Sequence, residues 1–149
     1  MQIQYVPYGG WENCLRLSNA FIEAIVTTKV GPRLLSFRLQ NGRNVFKEFG
    51  DQLGGTGEPK WRIRGGHRLW VAPESYLTTY ELDNEEVPHR IHQPTTVTLS
   101  LDGSAKFPLR REMVITISQG EPRLRIDHKL TNDGDCPVTA APWALSVMD

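Results

Sequence analysis

Thr95-Thr96-Val97-Thr98-Leu99-Ser100-Leu101 decides the fold class. In an extended chain Val97, Leu99 and Leu101 fall on one side and Thr96, Thr98 and Ser100 on the other. That period of two fits a half-buried strand and no helix. Asp102-Gly103 follows as a turn signal. Residues 112–118 repeat the pattern, with Met113, Ile115 and Ile117 together, until Gln119-Gly120-Glu121-Pro122 breaks the run. Residues 123–131 then place Leu124, Ile126, His128 and Leu130 against a mostly charged opposite face, and Asn132-Asp133-Gly134 ends them. Strand, turn, strand, turn, strand at short spacing predicts an antiparallel meander.

Working toward the N-terminus, residues 15–17, 21–28, 34–39 and 45–49 are further strand candidates. Ser18-Asn19 and Asn41-Gly42 are turns, the second a strong hairpin signal. Residues 21–26 are apolar on both faces apart from Glu23, which predicts a central strand covered on both sides. No segment shows the periodicity of an amphipathic helix. The expected fold is therefore all-β, an antiparallel β-sandwich, and the 149 residues read as a single domain over 1–149.

The 17 basic and 17 acidic residues cancel, so net charge gives no reason to expect nucleic acid or an acidic membrane surface as partner. No apolar run reaches the length of a membrane span, and the first residues lack a basic region followed by an apolar one. The two cysteines, Cys14 and Cys136, have no metal-ligand spacing. They are expected to be reduced, buried thiols, which fits a cytoplasmic protein.

Residues 50–80 do not alternate. They hold Gly50, Gly54, Gly55, Gly57, Gly65, Gly66, Trp61 and Trp70, and read as a long structured loop on a β scaffold, the usual place for function. Gly65-Gly66-His67-Arg68-Leu69-Trp70-Val71-Ala72-Pro73-Glu74 concentrates chemistry. His67 can exchange a proton near neutral pH, Arg68 can make forked hydrogen bonds, Trp70 offers a flat apolar face, and Glu74 can accept hydrogen bonds or act as a base. Composition alone leaves a plainer account, a buried histidine beside a solvated Arg–Glu pair. If the stretch were a regular strand, its neighbours would face opposite ways; a shared cleft therefore requires Gly65-Gly66 and Pro73 to break it. His89 and His92 lack a third ligand with telling spacing. Gly54-Gly55-Thr56-Gly57 lacks the lysine of a phosphate loop, and His128 reads as a core histidine. No cofactor or metal is indicated.

Val30-Gly31-Pro32-Arg33-Leu34-Leu35-Ser36-Phe37, then Asn41-Gly42 and Val45-Phe46, resembles the opening of aldose-1-epimerase-like proteins of the galactose-mutarotase superfamily. Gly66 to Glu74, and Leu130-Thr131-Asn132-Asp133-Gly134 followed by Ala141-Pro142-Trp143-Ala144-Leu145, resemble an uncharacterised branch of it. The resemblance implies a mutarotase-like supersandwich, of which this chain matches about the first half. It also implies a carbohydrate groove near Arg33, His67 and Arg68. Enzymes of that superfamily use a histidine acid and a glutamate base. Where the resemblance places the acid, this chain reads Ala140-Ala141-Pro142-Trp143, and the base belongs to the family's second half.

Three readings follow. The first is a carbohydrate-binding domain with incomplete catalytic machinery, its ligand residues Arg33, His67, Arg68, Trp70 and Glu74. The second is an active sugar epimerase using His67 and Glu74, or groups from a second subunit. The third is an assembly domain without a small ligand. A half-sandwich also predicts a homo-oligomer formed through the uncharged segment 143–148.

Overall fold

The computed structural model describes residues 2–76 and 78–149. Ten strands run in chain order: β1 (Gln2–Tyr8), β2 (Trp11–Ser18), β3 (Ile22–Thr27), β4 (Arg33–Leu39), β5 (Gly66–Ala72), β6 (His89–His92), β7 (Thr96–Leu101), β8 (Leu109–Ile117), β9 (Leu124–Asn132) and β10 (Ala141–Val147). One 3-10 turn, Gly50–Gln52, is the only helical element among the described residues. The strands form a six-stranded sheet, β1-β2-β3-β4-β5-β10, facing a four-stranded sheet, β6-β7-β8-β9. Every named pairing is antiparallel. The protein is an antiparallel β-sandwich, as the alternating runs predict. Among the described residues no helix is long and apolar enough to cross a membrane.

The meander is where the sequence places it. β7, β8 and β9 are consecutive neighbours, and β8 pairs with β9 from Leu109↔Asn132 to Ile117↔Leu124. Val97, Leu99, Met113, Ile115 and Ile117 turn inward and meet Ile3, Leu15, Leu17, Ile22, Ala24, Val26, Leu34 and Leu69 of the larger sheet. Burying one such side chain fully is worth roughly 1.5–3 kcal/mol, so this layer holds the sheets together. A second cluster, Trp11, Cys14, Ile25, Val30 and Leu35, lies on the outer face of the larger sheet with Leu53 packed on it. β3 is thus covered on both faces, and all six of its residues are buried. Its Glu23 is held by Arg38 and Arg16.

Several expectations are corrected. Residues 45–49 are no strand; they make only the isolated bridges Phe46↔Met148 and Glu48↔Gly65, filling the lane ahead of β5. The segment 50–80, read as loop, contains β5, and the polar stretch 81–93 contains the short β6. β1 was not legible, because Pro7 and a register irregularity between Val6 and Tyr8 interrupt its alternation. Both cysteines are free, but only Cys14 is buried. Cys136 is exposed because it lies in the connection between β9 and β10, outside either sheet.

Candidate functional site

β5 organises the site, and two glycines set where it begins. Gly65 and Gly66 have φ of +95° and +74°, a region that favours glycine. A Cβ on Gly65 would run into the Lys47 carbonyl oxygen, and one on Gly66 would meet Leu34 O and Leu35 Cα. The close approach lets Gly66 N–H donate to Lys47 O at 3.0 Å. Beyond it the strand is regular to Ala72. The breaks expected at Gly65-Gly66 and Pro73 therefore fall at its ends, and side chains alternate between them.

The alternation divides the predicted residues. His67, Leu69 and Val71 face the smaller sheet: Leu69 joins the main core, and Val71 packs with Phe107 and Leu109. His67 Nδ1 lies 2.7 Å from Ser146 Oγ, and its Nε2 lies 2.9 Å from His128 Nε2. Burial first, and the neighbouring His128 second, lower the His67 pKa to about 4. His67 is therefore neutral at physiological pH. His128 is half-buried, and its Nδ1 has no protein partner.

Arg68 and Trp70 project the other way. The Arg68 guanidinium lies 3.8 Å from the Trp70 ring centroid and 5.0 Å from that of Trp61, within cation–π range of both rings, which meet edge-on at 70°. Its Nε and Nη1 have no protein partner. Burial lowers its pKa to about 9, against the opposing pull of Asp83. Arg33 lies close by, fully buried, donating to Ile63 O and Gly65 O at 2.7 Å each and to Asp83 at 3.2 Å. Trp70 is only 4% exposed, and Arg68, Trp61 and Tyr80 already occupy its surface. The ring expected to stack on a ligand instead supports other rings.

Those rings lead outward to a groove. Trp70 meets Tyr80 edge-on at 5.1 Å, and Tyr80 stacks on Tyr76 at 4.5 Å with an interplanar angle of 12°. The Tyr80 hydroxyl donates to Glu74 at 2.6 Å. Thr79 anchors this loop, its buried hydroxyl accepting from Ser75 N–H and donating to Ser75 O. Tyr76 is left 85% exposed. It borders a groove of about 440 Å³ lined by Tyr76, Thr78, Tyr80, Glu81, Leu82, Ser104, Ala105 and Lys106. A neighbouring depression of about 260 Å³ shares Thr78 and Lys106 and runs along Val71, Pro73 and Phe107. Glu81 also pairs with Arg111 at 3.3 Å, tying this wall to β8.

Arg33, Arg68, Trp70 and Glu74 thus belong to one side of β5, and His67 belongs to the other. Sequence reasoning missed Tyr76, Tyr80 and Lys106. The two tyrosines carried a signal, being four apart and just beyond Glu74. Lys106 carried none, because only the fold brings the 103–107 turn against them. His89 bonds Tyr5 and Val87 O, and His92 bonds Thr98. Among the described residues no group of three or more His, Cys, Asp or Glu side chains is placed to hold a metal ion. Comparison with known proteins gives no match: no family model, curated protein or solved structure is significantly similar to this chain.

Proposed function

We propose that this domain binds carbohydrate without transforming it, in the groove between the Tyr76–Tyr80 pair and the 103–106 turn. The observation that carries the reading is the Tyr76 ring, exposed and backed by Tyr80 at the wall of a groove that also presents the polar side chains of Thr78, Glu81, Ser104 and Lys106 beside Leu82 and Ala105. A pyranose presents an apolar C–H face and a rim of hydroxyls. An aromatic ring matches the first; Thr78, Ser104, Glu81 and Lys106 supply donors and acceptors for the second. Arg68 and Trp70 act from beneath, as the packed base on which Tyr80 rests.

The reading excludes catalysis by His67 and Glu74 together. An acid and a base must both reach one substrate, and β5 separates these two. Neutral overall charge argues against nucleic acid as the ligand. Two free cysteines with no disulfide accord with a reducing, cytoplasmic setting.

Calorimetric titration with a panel of neutral and acidic mono- and oligosaccharides tests the proposal. At least one sugar is expected to bind, and Tyr76→Ala is expected to weaken it about tenfold or more by removing the stacking face. Because Tyr76 is exposed, the variant should fold normally. A panel without any binder, or a Tyr76→Ala curve identical to the parent's, would sink it.

A further inference from the structure

Three depressions meet around the 103–108 turn. The groove at Tyr76 and the smaller depression along Val71, Pro73 and Phe107 share Thr78 and Lys106. That depression shares Pro108 and Val138 with a third, of about 570 Å³, which continues along residues 133–136. The turn between them is firmly held. Ser104 N–H donates to Phe107 O at 3.0 Å, and Phe107 N–H donates to Ser104 O at 3.1 Å. Gly103 is packed so closely that a Cβ there would meet Leu109 N and Phe107 O. Facing the turn, the connection from β9 to β10 is pinned by Asp133 N–H, which donates to Pro108 O at 2.9 Å, and by the Asn132 amide, which donates to Cys136 O at 2.8 Å. The remaining wall is the loop that Thr79 anchors on Ser75. Walls fixed before a ligand arrives lose little freedom when it binds.

We propose that the ligand is an oligosaccharide of at least two linked rings, one on Tyr76 and the next in the depression beyond Thr78 and Lys106. This rests on the carbohydrate reading above. The Tyr76 groove alone, at about 440 Å³, is already within the range of a complete small-ligand site, about 300–1,000 Å³. A single ring on Tyr76 leaves the joined depression to water. That depression has the two kinds of surface a second ring needs. Buried Val71 and Phe107 form an apolar floor, with Pro73 and Val138 beside it. The Thr78 and Thr139 hydroxyls supply donors and acceptors at its rim. A glycosidic link delivers the second ring to this space as a tethered group, so its contacts add to affinity without a second loss of translational freedom.

Calorimetric titration with glucose, galactose and their α- and β-linked di- and trisaccharides tests this, with Val138→Arg as the variant. Val138 is 40% exposed in a connection outside either sheet, so an arginine there fills the depression without unpacking the core. At least one di- or trisaccharide is expected to bind about tenfold or more tighter than its monosaccharide. Val138→Arg is expected to abolish that margin while the monosaccharide affinity and the circular dichroism spectrum stay unchanged. Equal affinity for a monosaccharide and its longer homologues overturns the inference and leaves the carbohydrate reading standing. So does a margin that survives Val138→Arg, since the second ring then lies elsewhere. Should that variant fail to fold, Thr139→Arg, exposed on the same wall, decides in its place. A panel in which no sugar binds sinks the carbohydrate reading itself, and this inference with it.

Discussion

His67 and Arg68 are neighbours in the chain, yet each meets a different environment because a strand turns them to opposite faces. His67 is lowered from 6.5 to about 4, by burial first and His128 second. His128 is lowered too, burial outweighing the opposing Asp127. The unfolded chain therefore binds protons on these rings at higher pH than the folded one does. Stability from this source is complete above about pH 6.5 and falls as the pH drops toward 4. Urea midpoints at pH 7 and pH 4.5 check this. The double variant His67→Gln/His128→Gln should lose less stability across that interval than the parent, and an equal loss would count against the pair. Arg33 poses the reverse problem, a guanidinium kept charged out of water. Its pKa is lowered by burial, with Asp83 opposing. Asp83→Ala strands that charge, and removing one partner of a buried ion pair costs about 3–5 kcal/mol. Chemical denaturation should show a loss of that order; a loss below about 1 kcal/mol would mean that the Ile63 and Gly65 carbonyls suffice.

At the scale of elements, β5 decides both the site and its division. Its start depends on a backbone approach that no Cβ permits, so Gly65→Ala should cost about 2 kcal/mol or more through strain and displacement of Lys47. A thermal midpoint unchanged from the parent would refute that account. The same strand marks the limit of what the sequence could tell. β7, β8 and β9 were legible because one face meets the core and the other meets water, which writes alternation into the residue types. β5 was not, because Arg68 and Trp70 on its outer face are as buried as Leu69 on its inner face. Residues 45–49 misled in the opposite direction: Val45 and Phe46 are apolar, but the segment fills a gap in the sheet and pairs only through bridges. Clustering of residue types pointed to β5 and the loop after it, beside the groove proposed here as the binding site. It could not assign roles there, since Trp70 becomes support and Tyr76 the exposed ring only through packing of a loop that the sequence left undivided.

For the whole molecule, the sandwich itself constrains the chemistry. The groove opens along the 74–82 loop and the 103–106 turn, whereas the histidine pair lies between the sheets beside β10. Sugar anomerisation needs a proton donor at the ring oxygen and an acceptor at the anomeric hydroxyl, both touching the same pyranose. Glu74 has access to the groove's surroundings through Tyr80. His67 does not, because the body of β5 stands between. Neutral at pH 7, His67 would also be a poor acid even if a substrate reached it. A missing general acid commonly lowers a rate by two to four orders of magnitude, roughly the whole contribution of that catalytic device. Freshly dissolved galactose and glucose, followed by polarimetry, are therefore expected to equilibrate in the presence of this chain no faster than in buffer. Tyr76→Ala should change sugar binding while leaving that null rate where it was. Rapid equilibration abolished by His67→Ala would reverse the conclusion, because substrate would then have to enter between the sheets and the groove would not be the site of chemistry.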